Sequence, residues 1–141
     1  MMALRRGRQE DTYAVQELLR ACGMEAEIDP CDCLLADEAG VIVGLGRLEY
    51  GEGVPYLRPI AIAPAHQHRG VGRRLLEALL TNLDELRVVS RGNALGFYSG
   101  LGFEPMDWDS VHATYRQECA ECPELPACGP MPMRYQAGVN R

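Results

Sequence analysis

Leu57-Arg58-Pro59-Ile60-Ala61-Ile62-Ala63-Pro64-Ala65-His66-Gln67-His68-Arg69-Gly70-Val71-Gly72-Arg73-Arg74-Leu75-Leu76 changes its hydrophobic period partway along, and that change decides the fold. Over 56–63 the residues are nearly all apolar, with β-branched Ile60 and Ile62, as in a buried strand. Beyond Pro64 comes the glycine-containing loop 67–72, and then Leu75, Leu76, Leu79, Leu80 and Leu83 recur at helical spacing. The stretch predicts strand, loop, helix. Glycines in the loop free main-chain N–H groups to approach a ligand, and the helix that starts there points its positive end the same way. This is an anion site of the kind that suits a pyrophosphate, with Arg69, Arg73 and Arg74 adding charge-assisted contacts. The plainer alternative is a turn that only joins a strand to a helix.

Upstream, 3–8 reads as a first strand. From Asp11 the apolar residues Val15, Leu18, Leu19 and Cys22 fall on one helix face, closed by Gly23. The segment 24–32, with Pro30 and scattered acids, reads as a loop or broken helix. The runs 33–37 and 41–49, joined by Glu38-Ala39-Gly40, look like a hairpin, followed by a turn at 51–55. Downstream, 86–90 predicts a short buried strand and 94–101 a short helix ended by Gly102. A last strand pair is expected at 103–108 and 131–136. Between these two lies an insert, 109–130, expected to hold one helix through Glu118 and then a Cys- and Pro-rich loop. The order predicts an α+β fold on a mixed, mostly antiparallel sheet with one parallel join.

The 141 residues suit one domain with one active site. All fourteen positive charges are arginine, and twenty carboxylates bring the net charge to -6, a balance that argues against nucleic-acid binding. No apolar run approaches the roughly 18–20 residues of a membrane helix. Residues 1–8 are not followed by the apolar core of a secretory signal. The expectation is a cytoplasmic protein with no membrane partner.

Taken whole, the stretch 57–76 resembles the acetyl-CoA motif of the GNAT N-acetyltransferases. That motif is an apolar strand, V-x-P with Ile62 in the valine place, Q/R-x-x-G-x-G/A, and an apolar helix. The family's A-x-x-x-Y-x-x-L-G-F segment is matched by Ala94, Tyr98, Leu101, Gly102 and Phe103, while Arg91 stands where the family usually has asparagine. The likeness spans nearly the whole chain and is weakest over 109–130. It implies a GNAT fold in 1–141, with a V-shaped splay in the sheet that receives acetyl-CoA as co-substrate. Main-chain groups of Ile60, Ala61 and Ile62 would pair with the pantetheine arm as a further strand, and Gln67, His68, Arg69, Gly70, Val71, Gly72, Arg73 and Arg74 would hold the pyrophosphate.

The implied reaction is direct attack of a neutral amine on a thioester, which requires removing a proton from the ammonium and stabilising the departing thiolate. From the resemblance, Tyr98 would serve the thiolate; the alternative is a packed core tyrosine. Glu49, at its strand end, is the candidate proton acceptor, against a solvated glutamate. Arg58 interrupts an apolar strand and suits a bidentate grip on an acceptor carboxylate, or else an ion pair with Glu49 or Glu52. The Glu, Leu-Arg, apolar strand, Pro combination also resembles two GNAT branches, the arsenic-resistance N-acetyltransferases and short N-acetylglutamate synthases. The acceptor implied is a small amine that is amino-acid-like, with Arg58 and Arg91 as anion partners. A homodimer is compatible with this reading.

Cys119, Cys122 and Cys128 admit three readings: reduced thiols beside the acceptor site, an oxidation-sensing pair, or a structural metal site, for which the spacing lacks an evident fourth ligand. No metal is required by the family. Two other functions compete with catalysis on a small amine: a non-catalytic acyl-CoA-binding sensor or interaction module, and a protein N-acetyltransferase.

Overall fold

The computed structural model describes residues 2–138. Seven strands form one mixed sheet. They are β1 (Met2–Arg6), β2 (Cys33–Glu38), β3 (Val41–Gly51), β4 (Val54–Ile62), β5 (Glu85–Ser90), β6 (Glu104–Pro105) and β7 (Met131–Gln136). Their order is β1-β2-β3-β4-β5-β7-β6. The β1–β2, β2–β3, β5–β7 and β6–β7 pairs are antiparallel, and β4–β5 is the parallel join. The helices are α1 (Thr12–Ala21), α2 (Val71–Leu80), α3 (Leu95–Ser99), α4 (Ala113–Ala120) and α5 (Leu125–Cys128). The mixed α+β architecture expected from the sequence is the one observed. None of the described helices is long and apolar enough to cross a membrane.

The chain divides into two compact units. The first comprises 1–49 and 57–82. Its strands alternate in period 2, so each face meets a different helix. On one side Val15, Leu18 and Leu19 of α1 pack against Cys33, Leu35, Leu45 and Ala61. On the other, Val71 and Leu75 of α2 pack with Ala36 and Val43. A side chain at Gly44 would lie only 3.0–3.1 Å from Val71, Ile62 and Leu75 atoms, so its absence lets α2 lie close on the sheet. That close seating fixes the loop from which α2 starts.

At the edge of this unit, Arg5 holds Asp11 through two 2.9 Å hydrogen bonds and Asp37 through a third of 3.0 Å. Asp11 is buried and also accepts from the Arg8 N–H at 2.8 Å. Hydrogen bonding to Arg5 pulls its carboxyl down to about 2 despite burial. The network closes the β1–α1 connection. The first strand ends at Arg6 rather than at 8, because after Gly7, which still donates to the Cys33 carbonyl, the chain enters a 3-10 turn at Gln9–Asp11.

The second unit comprises 50–56 and 83–141. Here β5 and β7 pair from Glu85↔Gln136 to Ser90↔Met131. The parallel join is made at Tyr56↔Arg87. Tyr56, Val111 and Tyr115 form its aromatic core, the two tyrosine rings meeting edge to face at 4.7 Å. The Tyr56 hydroxyl accepts the His112 N–H at 3.0 Å, anchoring the start of α4.

Other boundaries differ from expectation as well. The turn between β3 and β4 is tighter than 51–55: Glu52 and Gly53 have φ of 54° and 83°, the left-handed pair of a two-residue hairpin. The strand expected over 103–108 shortens to Glu104–Pro105, because a 3-10 turn forms at Trp108–Ser110. The insert carries a second short helix, α5, where a loop was expected. Pro126 lies in its first turn, a position where the missing N–H costs no hydrogen bond.

Candidate active site

The residues singled out in the sequence fall into both units. Ile60, Ala61 and Ile62 lie at the end of β4, in the first unit. The Ile62 carbonyl accepts from the Gln67 side-chain amide at 3.1 Å and from the Cys22 thiol at 3.2 Å. These contacts tie the strand end to the loop that follows it and to the end of α1. Cys22 was visible in the sequence only as part of the core stripe of α1.

The loop 67–70 is exposed and turns through two left-handed residues, His68 at φ 64° and Gly70 at φ 82°. Gly70 precedes the first residue of α2, and the Arg74 N–H returns to its carbonyl at 3.1 Å. The first N–H groups of an α-helix have no carbonyl within the helix to bond. They carry the positive end of the helix dipole and are suited to an anion. Gln67, His68, Arg69, Arg73 and Arg74 are all exposed around this start. Arg73 reaches along the helix to Glu77, 3.5 Å away, while Val71 turns into the core. Just before the loop, His66 Nε2 lies 3.3 Å from Glu38 Oε2, a link from the 3-10 turn at Pro64–His66 to β2.

Glu49 and Arg58 meet in the same unit. Arg58 Nε lies 3.9 Å from Glu49 Oε2. The ion pair weighed as an alternative in the sequence is present, and both side chains stay about one-third exposed. A third residue joins them that sequence reasoning missed: Arg47 Nη1 donates to Glu49 Oε2 at 2.8 Å and to the Arg58 carbonyl at 3.0 Å. Arg47 Nε is buried with no hydrogen-bond partner, a penalty on the order of 1–3 kcal/mol. The signal was available, since Arg47 and Glu49 stand two apart on one strand and thus on one face.

Tyr98 and Arg91 belong to the second unit. Tyr98 on α3 is 4% exposed, and Phe97 and Phe103 meet its ring edge-on at 5.1 and 5.4 Å. Burial pushes its phenol up to about 12, so the hydroxyl is a proton donor throughout the neutral range. Arg91 is exposed just after β5, where the buried Ser90 hydroxyl donates to the Arg91 carbonyl at 2.7 Å.

The three late cysteines are half-buried on α4, after it, and at the end of α5. Among the described residues no group of three or more His, Cys, Asp or Glu side chains is placed to hold a metal ion.

No curated protein matches the chain by sequence. Solved structures do match it in fold. N-acetylglutamate synthase from Neisseria gonorrhoeae, complexed with coenzyme A and N-acetyl-glutamate, superposes with a TM-score of 0.78 at 16% identity, over 96% of this chain and 35% of that one. This chain thus spans about a third of that enzyme's length. Rv2747 from Mycobacterium tuberculosis, in complex with CoA, gives 0.74 at 19% identity over 95% and 98% of the two chains. Diaminobutyrate acetyltransferase EctA from Paenibacillus lautus, complexed with L-2,4-diaminobutyric acid and coenzyme A, gives 0.61 at 18% over 72% and 74%. The family profile described as Acetyltransferase (GNAT) domain matches residues 8–115, most of the chain and all of the strand, loop and helix from Leu57 to Leu76. This chain belongs to the GNAT acetyltransferase family.

Proposed function

We propose that the protein transfers the acetyl group of acetyl-CoA to the amine of a small, amino-acid-like acceptor, with 1–141 acting as one catalytic domain and 109–130 as an insert in it. The observation that carries this reading is the Arg47–Glu49–Arg58 cluster, two guanidiniums around one carboxylate in the unit that also holds the anion loop. A free amino acid presents the complementary pair, a carboxylate for Arg58 and an ammonium for Glu49. That neighbouring folds are solved with N-acetyl-glutamate and with L-2,4-diaminobutyric acid supports the same class.

In this reading the first turn of α2 and Gln67 to Arg74 hold the coenzyme's pyrophosphate. The main chain of Ile60 to Ile62 takes the pantetheine arm. Arg58 binds the acceptor's carboxylate. Glu49 takes one proton from the ammonium, directly or through water, and the neutral nitrogen attacks the thioester carbonyl. Attack leaves the nitrogen cationic, so it gives a second proton to solvent as collapse of the tetrahedral intermediate breaks the C–S bond and releases CoA as a thiolate. An ordinary thiol titrates near ~8.5, well below the phenol of Tyr98. Tyr98 therefore stabilises the thiolate chiefly by hydrogen bonding, and solvent completes the protonation.

The test is thiol release from acetyl-CoA with a panel of amino acids, their methyl amides, polyamines and peptides. Turnover confined to amines that carry a free carboxylate is expected. Turnover only with polyamines or peptides, or tight acetyl-CoA binding without turnover, would overturn the reading.

A further inference from the structure

Arg47 is the charged residue of this cluster for which the reaction above has no use, and its geometry is specific. A single nitrogen, Nη1, bonds both the Glu49 carboxylate at 2.8 Å and the main-chain carbonyl of Arg58 at 3.0 Å. The two-residue turn at Glu52-Gly53 brings position 47 on β3 across from position 58 on β4. One guanidinium thus fixes the carboxylate that pairs with Arg58 and also the backbone from which the Arg58 side chain departs. The arrangement persists although it leaves Arg47 Nε buried and unbonded. A buried donor left unsatisfied in a native structure calls for an explanation.

We propose that Arg47 is a positioning residue of the acceptor site, holding Glu49 and the Arg58 main chain so that the Arg58 guanidinium can exchange from Glu49 to an incoming carboxylate. This inference rests on the acceptor reading above. When the acceptor carboxylate takes Arg58, Glu49 would otherwise lose a cation partner. Arg47 keeps its bond to Glu49 through the exchange. Arg47 acts through Arg58 and Glu49 without touching the acceptor itself. Because Glu49 also takes the proton, the consequence falls on acceptor binding and on kcat, while the KM for acetyl-CoA is left unchanged.

The experiment compares Arg47→Met, Arg47→Lys, Arg58→Ala and the double variant Arg47→Met/Arg58→Ala in full-length protein. The acceptor is the best carboxylate-bearing amine of the panel. Arg47→Met is expected to raise its KM about tenfold, with the KM for acetyl-CoA changed less than about twofold. Arg47→Lys, which keeps a charge, is expected to recover part of the loss. The double variant is expected to be no worse than Arg58→Ala alone, the non-additivity of residues that act as a unit. Additive losses, an equal rise in the KM for acetyl-CoA, or an unchanged acceptor KM would each overturn the assignment. A variant that only unfolds at lower temperature, with its kinetics at 25 °C unchanged, would show Arg47 to be merely structural and would overturn it as well. Failure of the acceptor reading appears differently, as wild-type protein that acetylates no carboxylate-bearing amine.

Discussion

The loop at 67–70 and the surroundings of Tyr98 do opposite kinds of work. The loop is exposed, turns through two left-handed residues, and offers main-chain N–H groups at the start of a ten-residue helix. Tyr98 is buried against two phenylalanines and offers one hydroxyl. If the loop binds through its backbone, as proposed, side chains there are replaceable and Gly70, at φ 82°, is not. The role proposed for Tyr98 would depend on a single oxygen, and the ring that carries it is also part of the core. A family motif records the first kind of constraint well, because backbone geometry restricts residue type. The second kind it records as one letter.

The sharpest way to break this contrast is Tyr98→Phe, which keeps the ring and removes the oxygen. Loss of the hydrogen bond to the leaving thiolate is expected to lower kcat by about 10- to 100-fold, the range of one hydrogen bond to a charged group. The KM for acetyl-CoA should hardly move, and unchanged kcat would reduce Tyr98 to a packing residue. Next in size is Gly70→Val. A β-branched residue at φ 82° is strained by roughly 1–2 kcal/mol, and relief must displace the loop. The KM for acetyl-CoA should rise about tenfold with the acceptor KM unaffected, whereas Gly70→Asn should be much milder because asparagine tolerates that conformation. A Gly70→Val protein with normal coenzyme affinity would show that the loop's backbone is not what binds.

The smallest effect belongs to a control that is part of neither region. Asp11→Asn removes a carboxylate held down to about 2 by Arg5. A depressed carboxyl stabilises the fold above its ordinary value near ~3.9, and that contribution fades as pH falls toward 2. The variant should therefore be less stable at pH 7, by on the order of 1–2 kcal/mol and a few degrees in Tm, and the difference should close in acid. Calorimetry from pH 7 down to pH 2 measures it. Constant separation across that range would mean the Arg5 pairing is not its source.

Much of this was legible in the sequence, for identifiable reasons. Strand, loop and helix over 57–76 follow from a change of period and from glycine chemistry, and the α1 face follows from Val15, Leu18 and Leu19. What escaped were features set by partners distant in sequence. The extra length of β3 and β4 depended on Glu52 adopting a left-handed conformation that its side chain does not advertise. Trp108, which reads as a strand residue, begins a 3-10 turn instead. Arg47 was passed over in the sequence, and only its contact with the Arg58 carbonyl, eleven residues on, gives it a role. Arg58 itself was legible as a charge in the wrong place. Its recorded partner, Glu49, could be guessed only as one of two glutamates near the turn.

Recognition of the acceptor through its carboxylate, as proposed, is tested at Arg58. The acceptor KM of wild type and Arg58→Ala should be compared for an amino acid and for the methyl amide of the same amino acid. The account predicts a rise of at least about tenfold for the amino acid, as expected for a lost charge-assisted bidentate contact, and little change for the amide. Equal changes for the two acceptors, or none for either, would contradict it.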